Sequence, residues 1–234
     1  MDKEGLEEWQ NRWKEVFDKI SKSMPGLLEA GKILEEESPE AFWQLCRYGW
    51  YFGYDSLPKT PVELAREIKK GNQREVDDFL IKYYEDELES IERRLVGRYP
   101  HRTMVLQEAF QNHREKRYYS SITLFLTQVD GVCKELTGNI FFTTEEIKGV
   151  KIRKPKIAKA FNEEEVFFKP FLVPLKETSS INSHWTKLNS FPLRLNRHEI
   201  LHGEDFDYAS QMNSLKVISL LNYISDILTY EAKQ

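Results

Sequence analysis

Apolar residues recur along most of this chain at three- and four-residue steps, the spacing of one face of an α-helix. Leu6, Trp9, Trp13, Val16, Phe17 and Ile20 predict an amphipathic helix over residues 4–22, broken at Pro25-Gly26, with a short helix following through Leu34. Ser38-Pro39-Glu40 places an N-cap serine before a first-turn proline. The helix it opens carries Phe42, Trp43, Leu45, Cys46 and Trp50. We read the aromatic run Trp43 to Tyr54 as core beneath a helix end rather than as a base-stacking platform. Thr60-Pro61 opens another helix, ended near Gly71. Val76, Leu80, Tyr83, Tyr84, Leu88, Ile91 and Leu95 predict one helix from Gln73 to Val96, stopped at Tyr99-Pro100. Its acidic run Glu85 to Glu89 reads as a solvated face.

Thr103 to Leu136 reads as one long helix. Its second half, Ser121 to Cys133, is apolar nearly all round, the mark of a central bundle helix, with Gln128 and Asp130 as polar intrusions. Regularity then fails over about 138–190, where one short helix and some extended chain are expected. Phe191-Pro192 is the expected start of a helix that Gly203 ends. A last helix, Ala209 to Leu228, turns Met212, Leu215, Ile218, Leu221, Ile224, Ile227 and Leu228 inward. The fold class is mainly α: an N-terminal helical region over 1–72, then a helical bundle over 73–234 holding the irregular, partly extended insertion.

Composition narrows this little. Apolar residues make up 40% and charged residues 31%, an ordinary soluble balance. The net charge of −4 does not announce a nucleic-acid binder, yet a local basic patch binds phosphate on an acidic protein. Lys151, Arg153, Lys154 and Lys156, within the stretch Lys148 to Lys159, are the candidate phosphate contacts. No apolar run is long enough to span a bilayer, so no membrane association is expected, and the acidic opening MDKEGLEEWQ does not read as a signal peptide. Two cysteines, Cys46 and Cys133, supply neither a disulfide framework nor a cysteine-rich metal site, which fits a reducing cytoplasm.

The candidate chemistry sits in Asn196-Arg197-His198-Glu199-Ile200-Leu201-His202-Gly203, which holds two of the five histidines. Two readings compete. His198-Glu199-Ile200-Leu201-His202 has the H-E-x-x-H spacing of a zinc hydrolase, but no third histidine follows, and Glu204, Asp205, Asp207 and Asp226 have no recognisable ligand spacing. Arg197 and His202 form R-x4-H, a pair suited to breaking an RNA phosphodiester without a metal. Histidine titrates near neutrality and serves as base or acid, and the arginine fork matches phosphate oxygens. Five residues of helix separate Arg197 and His202 by about 140° around the axis, while His198 stands one turn before His202 on the same side.

Together with Arg117-Tyr118-Tyr119-Ser120-Ser121-Ile122, Gln128-Val129-Asp130-Gly131, Tyr208, Asn213-Ser214-Leu215 and Leu220-Leu221, this motif resembles the HEPN superfamily of helical-bundle proteins. The resemblance covers roughly the second half of the chain. It implies a HEPN-like C-terminal bundle and a metal-independent endoribonuclease of the toxin or antiviral type. The catalytic set would be Arg197, His202 and His198, with Asn196 and the basic stretch touching substrate. No cofactor is expected. The expected partners are RNA, a second copy completing a composite site, and a possible neutralising protein. The alternative is a catalytically silent module that binds RNA, nucleotide or protein.

Overall fold

The computed structural model describes residues 36–53, 59–142, 144–146, 153–155, 157 and 169–231, and the helices expected before Leu34 lie outside them. The described chain is mainly α-helical. Its longer elements are α1 (Ser38–Arg47), α2 (Lys59–Lys69), α3 (Gln73–Asp86), α4 (Leu88–Arg98), α5 (Thr103–Arg114), α6 (Tyr118–Thr137), α7 (Lys169–Lys176), α8 (Arg197–Leu201) and α9 (Gln211–Glu231).

Two of the long helices expected from periodicity are broken. The Gln73 to Val96 run bends at Glu87 into α3 and α4, although the Glu87 N–H still reaches the Tyr83 carbonyl at 3.0 Å. The Thr103 to Leu136 run splits fully into α5 and α6 at Glu115-Lys116-Arg117. Lys116 takes φ +61° there, the described non-glycine residue in the left-handed region. Lysine carries no turn signal, so the apolar period runs through the break unmarked. Gly138, at φ +74°, stops α6 as a helix-ending glycine does. In the irregular segment, β1 (Thr144–Glu146) and β2 (Arg153–Pro155) form a short antiparallel pair, with Thr144 opposite Pro155.

The centre of the bundle is α9, lying along α6. Every residue from Ser214 to Ser225 is buried. Its apolar positions meet Ile122, Phe125, Leu126, Val129 and Val132 of α6, each fully buried and each contributing about 2 kcal/mol. The other face of α9 is polar yet equally buried, which is tolerated because each group is bonded. Ser214 meets His113 and Ser121, Asn222 accepts from Arg94, and Ser225 accepts from Arg98 and Tyr99. Lys216 lies 3.5 Å from Asp77 and 5.2 Å from the Trp50 ring centre, and burial pulls its ammonium down. The aromatic run is core, as read: Trp50, Tyr51 and Phe52 are buried, and Trp50 stacks on Tyr84 at 5.5 Å. Phe42 of α1 meets Phe171 of α7 edge-on at 4.8 Å. Among the described residues no helix is long and apolar enough to cross a membrane.

Candidate functional site

The motif helix is shorter than its sequence suggested. Phe191-Pro192 does not start it; residues 193–196 carry no regular structure, and α8 covers only Arg197 to Leu201. The reason is Asn196, whose extended backbone and side chain take the N-cap. Its Oδ1 accepts the N–H groups of His198 at 3.0 Å and Glu199 at 3.2 Å. At the other end Gly203 adopts φ +72°, donates to the Ile200 carbonyl at 3.2 Å, and lets Glu204 N–H reach the Glu199 carbonyl at 2.8 Å. Five residues of helix do not persist alone. These two caps hold them.

Asn196 does more than cap. Its Nδ2 donates to the carbonyls of Ser180 at 2.6 Å and Ser183 at 3.0 Å, clamping α8 onto the buried turn Ser179–Ser183. The side chain is fully buried, and both ends of its amide are engaged within the protein. The expectation that Asn196 touches substrate is therefore corrected: it is a positioning residue.

The clamp creates an open groove of about 130 Å³ lined by Phe142, Ile181, Asn182, Ser183, His184, Arg197 and His198. Arg197 forms one wall. Its Nη2 lies 3.5 Å from Asp130 of α6, its guanidinium carbon sits 5.5 Å from the Phe142 ring centre, and its buried Nε has no hydrogen-bond partner among the described residues. Asp130 in turn accepts the Phe142 N–H at 3.3 Å. Burial pushes the Asp130 carboxyl up, against that hydrogen bond and the Arg197 charge. His198 shares the groove with Arg197, and its ring centre is 4.2 Å from that of His202, which stands exposed outside the lining. His198 is thus the motif residue that both lines the groove and contacts His202.

Glu199 bears on the zinc reading. Its carboxylate is buried and accepts two bonds from Arg194, from Nη2 at 3.0 Å and Nε at 3.3 Å. A zinc hydrolase needs that carboxylate directed at metal-bound water. Among the described residues no three His, Cys, Asp or Glu side chains are grouped to hold a metal ion.

Of the basic candidates, Lys151 and Lys156 lie outside the described residues, and Arg153 and Lys154 stand on β2 opposite Glu146 and Glu145. The structure adds three groups to the site. Asp130 was visible as a polar intrusion in an apolar helix and within the segment Gln128 to Gly131 that carries part of the resemblance. Asn182 and His184 gave one faint signal, the Ser179-to-Asn182 spacing of a capping pair. No protein-family model, curated protein or solved structure matches the chain.

Proposed function

We propose that this chain is a metal-independent endoribonuclease with a HEPN-like C-terminal bundle, acting on RNA in the reducing cytoplasm as part of a toxin or antiviral system. One observation carries the reading. Arg197 presents an under-used guanidinium, with Nε unpartnered and one ion pair at 3.5 Å, beside two histidines whose rings touch. In the reaction a histidine takes the 2′-OH proton, the 2′-oxygen bonds to phosphorus, and the P–O5′ bond breaks. A second histidine protonates the departing O5′, leaving a 2′,3′-cyclic phosphate and a 5′-OH. Arg197 stabilises the charge on the phosphorane oxygens.

A second copy completes the acid, base and charge set around one cleft. In support, Phe206 is 72% exposed and Tyr119 56% exposed, joined by a 2.8 Å bond from the Tyr119 hydroxyl to the Phe206 carbonyl. This aromatic face begins three residues beyond Gly203, and a second copy would cover it. The second reading is a silent module that binds RNA, nucleotide or a neutralising protein. It is favoured by the Arg197–Asp130 pair, which offsets part of the charge the transition state needs.

Incubation of purified protein with RNA in excess chelator tests the enzyme reading. Cleavage yielding 2′,3′-cyclic phosphate ends, abolished in Arg197→Ala and His202→Ala, is expected. Mixing Arg197→Ala chains with wild type should lower activity by more than dilution. Intact RNA with a folded protein would leave the silent module, and a fully active monomer would remove the composite site.

A further inference from the structure

We propose that the groove beside Arg197 is a phosphate subsite in which Asn182 and His184 bind one phosphate group of an RNA strand together with Arg197 and His198. The proposal rests on the ribonuclease reading for the identity of the strand, and on the geometry of the groove for the phosphate.

Asn182 is the decisive residue. It is 5% exposed and lines the groove. Its Oδ1 accepts the Ser179 N–H at 2.8 Å. A backbone N–H only donates, so this bond fixes which end of the amide is oxygen. The remaining end, Nδ2, is a buried donor without a hydrogen-bond partner among the described residues. Arg197 Nε is a second such donor on the same groove. Two buried donors left unpaired at one cavity are unusual in a folded protein and call for an acceptor. The rings of His184 and His198 also line the groove, and no carboxylate belongs to the described lining. The set is donor-rich and includes one permanent cation, which selects an anion with several acceptor oxygens. A phosphate diester fits that description. The space of about 130 Å³ holds a tetrahedral group while leaving the chain on either side in the open groove.

The subsite also accounts for the Asn196 clamp. By bonding Ser180 and Ser183, Asn196 fixes both sides of Asn182 against α8. The donors are in place before any ligand arrives, so little ordering is needed on binding.

Calorimetry on the full chain would use three probes: inorganic phosphate, a 2′-O-methyl oligoribonucleotide that cannot be cleaved, and the same oligonucleotide without terminal phosphates. Asn182→Asp keeps the acceptor for Ser179 and replaces the donor by a negative oxygen. It should weaken binding of all three probes by about tenfold or more, the loss of one charge-assisted bond. His184→Ala, a change at an exposed side chain, should weaken it severalfold, and it serves alone if Asn182→Asp does not fold. Wild-type protein that ignores phosphate and oligonucleotide overturns the subsite, as do both variants binding like wild type. Phosphate binding without oligonucleotide binding overturns the assignment to RNA. Because no probe is cleaved, the two readings fail separately. Asn182-dependent binding with no RNA cleavage keeps the subsite and removes the enzyme. Chelator-resistant cleavage indifferent to Asn182→Asp does the reverse.

Discussion

Asn196→Asp tests whether the motif is held from beneath. The substitution is nearly isosteric and keeps an oxygen to accept from the His198 and Glu199 N–H groups, so the N-cap survives. What changes is the other end. A donor now bonding Ser180 O at 2.6 Å and Ser183 O at 3.0 Å becomes an oxygen facing two carbonyls in a fully buried site. Two hydrogen bonds worth about 1 kcal/mol each are lost, and two buried carbonyls are left unpaired, for a total near ~3 kcal/mol at neutral pH. The urea midpoint should fall by about 1 M. Acid should relieve part of the loss. Burial and the two carbonyls raise the introduced carboxyl in the folded state, so the folded chain holds that proton above the unfolded value of about 4. The deficit therefore grows as pH rises from about 4 through the folded value and then levels off. Urea unfolding followed by circular dichroism between acid and neutral pH reads both effects. A variant within about 0.5 kcal/mol of wild type at pH 7 would refute the clamp and return Asn196 to the role of a ligand contact.

Four further outcomes follow. Gly203→Ala should cost about 1 kcal/mol in urea unfolding, because the position needs φ +72° but a Cβ meets nothing within 4 Å. Gly49→Ala should cost about 3 kcal/mol, since φ +87° is joined there by a Cβ 2.5 Å from Leu193 Cδ2; equal costs would contradict this packing. Glu199→Gln should leave RNA cleavage in chelator intact, because its carboxylate serves Arg194; a folded but inactive variant would favour the zinc reading. Burial lowers His113, with Glu85 opposing, so the unfolded chain takes up the proton first. The stability this residue confers is complete above its unfolded value of about 6.5 and declines as pH falls toward the folded value, by up to ~1.4 kcal/mol per unit. That decline should vanish in His113→Gln, and an unchanged acid slope would count against it.

Where the sequence was legible, the physics was local. Apolar spacing gave the helical class, and Tyr99-Pro100 and Gly203 marked ends that the backbone respects, whereas Ser38 is not the N-cap it resembles: Glu37 holds that position and Ser38 lies inside the helix. Failure of the apolar period over about 138–190 matched the region that holds β1, β2 and α7. Periodicity missed the break at Lys116 because only a left-handed backbone marks it, and lysine does not advertise one. It also gave the wrong start to α8. Proline at 192 looked like a first turn, but an asparagine four residues later holds the cap through contacts with residues 180 and 183, which no local window contains. Apolar spacing also left the polar face of α9 undescribed. Ser214, Lys216 and Ser225 lie outside its apolar stripe, yet tertiary partners on α3, α4 and α5 bury them. The groove itself was least legible: Asn182, His184 and Asp130 meet Arg197 only after the chain has folded.

The Arg197–Asp130 pair bears on how the proposed site would stay poised. A charge-assisted Arg–carboxylate contact closes to about 2.8 Å when it is fully made. At 3.5 Å, with Nε unpartnered, this one is not. Asp130 is held instead by the Phe142 N–H, and the Phe142 ring stands beside the guanidinium, so the arginine is oriented by a wall as well as by a charge. Removing a guanidinium from a tight carboxylate would offset most of what a phosphate gains. A loose counter-ion keeps the resting charge balanced and leaves the fork to be claimed. The pair is half-buried, and one that only stabilised the fold would be expected to satisfy its donors, whereas Nε here has no partner among the described residues. A short, doubly capped helix, a clamped serine turn and a half-engaged arginine are each costly features of a fold. Acting together on one groove, they are what the proposed phosphate subsite would need in place before a ligand binds.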